Sequence, residues 1–283
     1  MSNVKIIADS TCDLSKDLLE AYDISLIPLM ISMGDITKKD GTEVSPEELY
    51  RWSDETGQTP KTAAPTIGDA VAFLEPFVNK GLDIIFFGIS EEMSATCNVI
   101  RLASENMNYK RVFVVDSKNL STGIGIQVVR AAKMAKEGKS AEEILKDNSK
   151  INPKVSASFV VDTLTYLHRG GRCSGVAALI ANTLKLKPEI EVTNGVMGVG
   201  KKYRGNIKSV LLRYVHDRKK ELMTADPERI FITHSGCDED VIDEIRQYLV
   251  DLKVFKEILV TRAGGVISSH CGPNTLGVLY IRK

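Results

Sequence analysis

Short apolar runs alternating with helical patterns constrain this chain more than any other feature. Residues 4–8, 82–89 and 111–115 are compact β-type runs, each followed by polar or small residues. Residues 24–33 read as a further extended stretch, interrupted by Pro28. Helices lie between the runs. In Ser45-Pro46-Glu47-Glu48, Ser45 caps, Pro46 suits the first turn and Glu48 completes a capping box. Ser140-Ala141-Glu142-Glu143 repeats that logic, and Gly138 ends the helix before it. Strands alternating with helices predict a mostly parallel sheet covered by helices on both faces. Ligands of such sheets bind beyond the carboxyl ends of the strands. Asp9-Ser10-Thr11, residues 90–96 and Asp116-Ser117 fall there, which makes Ser10 and Ser117 candidates for a place near a site or a purely structural role.

The second half has an α+β texture. Residues 155–161 read as a strand, and 163–169 as a short helix closed by Gly170-Gly171. Residues 175–184 read as a helix, and 189–199 as a hairpin turning at Thr193-Asn194-Gly195. The clearest amphipathic helix spans 206–223, with Ile207, Val210, Leu211, Tyr214, Val215 and Leu222 on one stripe. Strands follow at 230–234, 257–261 and 275–281, with a helix over 238–252. The expected division is 1–152 and 153–283, at Asn152-Pro153.

Several function classes drop out. With 37 basic against 37 acidic residues, there is no global attraction to nucleic acid or to an anionic membrane. No run approaches the ~20 apolar residues of a membrane span, and the start has too short an apolar core for a signal peptide. A cytoplasmic protein without stable membrane insertion is expected. Cys12, Cys97, Cys173, Cys237 and Cys271 are far apart and form no Cys-x-x-Cys, which suggests neither a disulfide framework nor a zinc site. The run from Gly195 to Lys202 nearly matches a phosphate-binding P-loop, but Lys202 stands where a Ser or Thr should hold magnesium. Gly123 and Gly125 lack the third glycine of a dinucleotide fingerprint and read as a helix N-terminus.

The candidate chemistry is modest. His216 lies in the amphipathic helix, His168 near a helix C-terminus, and His234 in a loop. His270 is set between Gly264-Gly265 and Gly272-Pro273, a tightly specified backbone presenting one imidazole. Residues 60–66 and 90–96 are rich in hydroxyls. Hydroxyl donors, backbone amides and one imidazole suit a carboxylate or a phosphate, although Ser and Thr at helix starts serve equally as caps.

Taken in order, these segments resemble the DegV family of bacterial fatty-acid-binding proteins, the acyl-carrying subunits of fatty acid kinase. The resemblance spans essentially the whole chain. It rests on residues 7–14, on Thr59-Pro60-Lys61-Thr62 with Pro65, on residues 90–98, and on Val115-Asp116-Ser117 with Gly123 and Gly125. It continues through residues 164–172, Lys187-Pro188, Arg204 and Ser269-His270-Cys271-Gly272-Pro273.

The resemblance implies a doubly wound α/β domain followed by an α/β domain with a mixed sheet. It implies a long-chain fatty acid in a buried tunnel, with Thr62, Ser94 and His270 holding the carboxylate, no cofactor and no metal. Arg172 would be structural or near the site, and Arg204 would meet the kinase partner or the phosphate. The chain departs from the family pattern at Ala63-Ala64 and at Glu91-Glu92, where acidic residues arrive beside a proposed anion site. Two alternatives stay open: a module for another small anion, and an acyl hydrolase with Ser94 as nucleophile and His270 as base. The second lacks the Gly-x-Ser-x-Gly elbow.

Overall fold

The computed structural model describes residues 3–173, Val176 and residues 186–283. Strands β1 (Val4–Asp9) and β6 (Asp83–Gly88) are almost wholly buried on both faces, as the middle of a helix-covered parallel sheet requires. With β2 (Ser25–Ile27) and β7 (Val112–Asp116) they form a four-stranded, all-parallel sheet in the order β2-β1-β6-β7. The expected extended stretch over 24–33 is in fact two strands in two sheets. Pro28, with no N–H to give a ladder, stands at the break. Beyond it, β3 (Met30–Met33) pairs antiparallel with β4 (Ile36–Lys39) and β5 (Lys61–Ala63).

Helices α1 (Lys16–Ala21), α2 (Pro46–Thr56), α3 (Ile67–Val78) and α4 (Thr96–Asn106) serve this half. At α2, Ser45 Oγ accepts from Glu48 N at 3.2 Å. Glu48's carboxylate turns to Lys38 instead of back to Ser45, so only half of the expected capping box forms. Helix α6 (Ala141–Ile151) carries the complete box: Glu143 N donates to Ser140 Oγ and Ser140 N to Glu143 Oε2.

Helix α5 (Thr122–Lys136) is the pivot of the molecule. It is buried along most of its length, and its core contacts reach residues of both large sheets, Ile6 and Phe87 on one side and Phe159, Phe231 and Leu279 on the other. Gly123 and Gly125 permit that approach: a Cβ there would lie 2.1 Å from Asn119 Oδ1 and 2.9 Å from the Cys12 carbonyl oxygen respectively.

The second large sheet is six-stranded and mixed, in the order β10-β9-β8-β13-β11-β12. Its strands are β8 (Val155–Val160), β9 (Leu186–Thr193), β10 (Val196–Arg204), β11 (Ala225–His234), β12 (Glu257–Arg262) and β13 (Leu276–Arg282). Only β11 and β12 run parallel; the other neighbours are antiparallel. The β9–β10 turn sits at Asn194 and Gly195, both at positive φ, as a tight hairpin demands.

Helix α7 (Thr165–Gly170) is closed by Gly171 at φ 68°. The amphipathic helix expected over 206–223 divides into α8 (Ile207–Asp217) and α9 (Lys219–Leu222). The break falls at Arg218, a buried guanidinium shared by Glu189, Glu191 and Glu221. Helix α10 (Glu239–Asp251) packs with α8 over the outer face of the sheet. The glycine-flanked segment of His270 is a helix, α11 (Gly265–Cys271), which its glycines obscured in the sequence. The helix expected over 175–184 lies, apart from Val176, outside the described residues.

Candidate functional site

The site forms where the carboxyl ends of β1 and β6, the start of α5 and the end of α11 converge. An apolar cavity of about 250 Å³ lies there, with Leu29, Ile89, Met93, Leu120, Met197, Val266, Ile267 and Cys271 in its wall. Its polar lining consists of Thr62, Ser94, Arg172 and His270. A small space of about 20 Å³ shares Leu120, Ile267 and Cys271 with it and continues toward Phe159 and Leu279. On the other side, Thr62, Arg172 and His270 also border an open groove with Lys61 and Arg169. The polar cluster therefore stands between an oily interior and a basic vestibule.

Each polar side chain is placed by a different element. Thr62 is the middle residue of β5, in register with Ile31. His270 is the penultimate residue of α11. Thr62 Oγ1 and His270 Nε2 are 2.8 Å apart, although 208 residues separate them. Close packing sets the ring's rear face, since a Cβ on Gly170 would lie 2.3 Å from His270 Nδ1. That nitrogen has no partner among the described residues. A buried lone pair is tolerated better than an orphaned N–H, which leaves Nε2 as the protonated, donating nitrogen. The Thr62 hydroxyl proton is then free for an acceptor in the cavity. Burial, and secondarily the Arg172 charge, hold the imidazole pKa down at about 4, so the ring is neutral near pH 7.

Ser94 follows β6 in the loop before α4. Its hydroxyl lies 2.8 Å from Thr96 Oγ1 and accepts from Thr96 N. Ser94 therefore has Thr96 as its partner and His270 has Thr62; the nucleophile–base pair of a hydrolase is not formed. The Arg172 guanidinium donates to the Met93 and Gly170 carbonyl oxygens, bringing a positive charge to the cavity edge. Glu91 and Glu92 are exposed and outside the cavity lining, and Glu91 is paired with Arg101. Their charge is thus spent on solvent and on a surface arginine.

Three candidates lie elsewhere. Ser10 Oγ donates to Asp40 Oδ2 at 2.7 Å and accepts from Leu29 N, which places it behind the wall. Ser117 bonds to the backbone of Asn119, shaping the approach to Leu120. Arg204 belongs to a separate exposed basic groove with Lys201, Lys202 and Arg213. A separate cleft of about 820 Å³ runs between β7, α6 and β9, and none of the candidate residues lines it. Sequence reasoning missed Met93 and Met197 as cavity walls. Met93 sits inside the hydroxyl-rich segment 90–96, and Met197 follows the hairpin turn, but neither position signals which way its side chain points.

A family model described as uncharacterised protein, DegV family, matches residues 3–283. The chain belongs to the DegV family. A DegV domain-containing protein of Clostridium acetobutylicum is 30% identical over 283 residues, covering all of both chains. Among solved DegV structures, a fatty-acid-binding member from Thermus thermophilus is 28% identical over the full length of both chains, with a TM-score of 0.90. A stearic-acid-binding protein from Eubacterium ventriosum is 26% identical, covers 99% of this chain and 98% of its own, and has a TM-score of 0.85. The α/β architecture with one parallel and one mixed sheet is thus that of DegV proteins. No described helix is long and apolar enough to cross a membrane.

Proposed function

We propose that this DegV chain binds a long-chain fatty acid, holds its carboxylate with Thr62, Ser94 and His270, and presents it to a separate kinase for acyl-phosphate formation. The observation that carries this reading is the Thr62–His270 pair facing one apolar cavity together with Ser94. A fatty acid is an oily rod with one charged end. Each methylene buried contributes about 0.8 kcal/mol, roughly 10 kcal/mol gross for about fifteen, from which association and ordering subtract several kcal/mol. The head needs donors, because a buried unpaired carboxylate is very costly. The Thr62 hydroxyl, its proton left free because it accepts the His270 Nε2–H, the Ser94 hydroxyl and the Arg172 charge supply them. The ligands named for the neighbouring structures are of the same class.

The open groove beside Thr62 and His270 leaves the head reachable from outside. On this reading the chain supplies no catalytic residue and needs no cofactor, and the phosphoryl chemistry is the partner's. Arg204, on its exposed groove, would be a contact for the partner or its phosphate. The halves 1–152 and 153–283 would meet at the site.

Organic extraction of the purified protein followed by mass spectrometry tests the ligand class. A long-chain fatty acid in near-stoichiometric amount is the expected result. A phosphorylated or short-chain acid in its place would overturn the reading.

A further inference from the structure

The segment from Asp9 to Asp13 is a motif whose acidic side chains the carboxylate site does not use. Asp9, Asp13 and Asp40 are 0%, 5% and 2% exposed. Among the described residues none of them has a cationic partner; each instead accepts N–H and O–H bonds. Asp13 Oδ1 accepts from Gly264 N at 2.8 Å, and Asp40 Oδ1 from Gly265 N at 2.8 Å. Those amides lie at the start of α11, the short helix that ends at His270 and Cys271. The other carboxylate oxygens are held in turn, Asp13 Oδ2 by Ser121 Oγ at 2.5 Å and Asp40 Oδ2 by Ser10 Oγ at 2.7 Å.

The glycines make this approach possible. A Cβ on Gly265 would lie 2.8 Å from Asp40 Oδ1 and 2.7 Å from Ile31 Cδ1. Ile31 is the register partner of Thr62. The contact that fixes the start of α11 therefore also adjoins the strand beside Thr62, and His270 and Thr62 meet at the other end of one turn and a half of helix.

We propose that Asp13 and Asp40 are positioning residues for His270: they pin the first amides of α11 to the N-terminal half, so that the imidazole at its far end reaches Thr62. The inference rests on the proposed head-group site only for its consequence in binding; the imidazole's placement can be read without ligand.

The test uses the full-length protein labelled with ¹⁵N-histidine, whose four histidines give a sparse spectrum. His270→Ala identifies the His270 signals by their loss. Asp13→Ala and Asp40→Ala are expected to shift those signals in the ligand-free protein and to weaken palmitate binding about tenfold or more. Asp40→Asn keeps an acceptor oxygen for Gly265 N and is expected to restore both. Should the alanine variants fail to fold, Ser10→Ala, which frees Asp40 Oδ2, is expected to move the His270 signals with the fold retained. Unmoved His270 signals in a folded Asp40→Ala, or in Ser10→Ala where that variant is the one that folds, would overturn the proposal even if the melting temperature fell. If His270→Ala itself binds palmitate normally, the head-group reading fails, while the ligand-free spectra still decide the positioning role.

Discussion

His270→Ala binds palmitate ten- to a hundredfold more weakly than the parent protein, with the fold intact. The magnitude is that of one hydrogen bond to a charged group, about 1.5–3 kcal/mol. Among the described residues His270 is the one imidazole lining the cavity, and its Nε2–H is given to Thr62 Oγ1, so the substitution releases the hydroxyl that it aims at the head group. Isothermal titration of delipidated protein measures the loss. An affinity unchanged within about twofold would remove the assigned head-group site. The same variant has a signature in stability. His270's folded pKa, about 4, lies below its ordinary 6.5. The unfolded chain therefore binds the extra proton between those values, and stability present above pH 6.5 is lost as the pH falls toward 4. His234, pushed down to about 4 by burial and the Arg262 charge, acts in the same sense. His270→Ala keeps only the His234 part of that acid sensitivity.

Arg218→Met lowers the unfolding free energy by about 3–5 kcal/mol, the cost of leaving a buried charge without its partner. The Arg218 and Glu189 side chains are only 9% and 6% exposed, and Arg218 Nε donates to Glu189 Oε1 at 3.0 Å. Burial raises the Glu189 carboxyl pKa against the opposing pull of Arg218, so the pair stands or falls together. Glu189 lies in β9, which pairs with β10, the strand that brings Met197 to the cavity. Urea unfolding should show the midpoint falling at unchanged slope. Removing both charges in Arg218→Met with Glu189→Leu should recover most of the loss, because no charge is then buried alone. A single variant within about 1 kcal/mol of the parent would show the network to be solvated.

The parts legible in the sequence were those that local chemistry decides. Buried β-type runs such as 4–8 and 82–89, the capping residues Ser45 and Ser140, and the Asn194-Gly195 turn all declare themselves within a few residues. What stayed hidden depends on long-range contacts. Pro28 marked an interruption, but not that the chain would change sheets there. The continuous stripe over 206–223 gave no sign of the break at Arg218, where the guanidinium meets Glu189 and Glu191 of β9 and Glu221 of α9. Helix α11 begins with glycine, a poor helix former, because two carboxylates from the other half approach its first amides. The convergence of Thr62, Ser94 and His270 came from family resemblance, since nothing local brings residues 62 and 270 together. The solvent-facing placement of Glu91 and Glu92 needed the structure, and it removes the charge conflict that their proximity to Ser94 suggested.

The most direct measurement is a crystal structure of the protein with stearic acid. The expected complex has a carboxylate within hydrogen-bond distance of Thr62 Oγ1 and Ser94 Oγ, His270 Nε2 still on Thr62, and the tail running past Leu120 and Ile267. A ligand lying reversed, or seated in the cleft between β7 and β9 with the cavity unchanged, would contradict it.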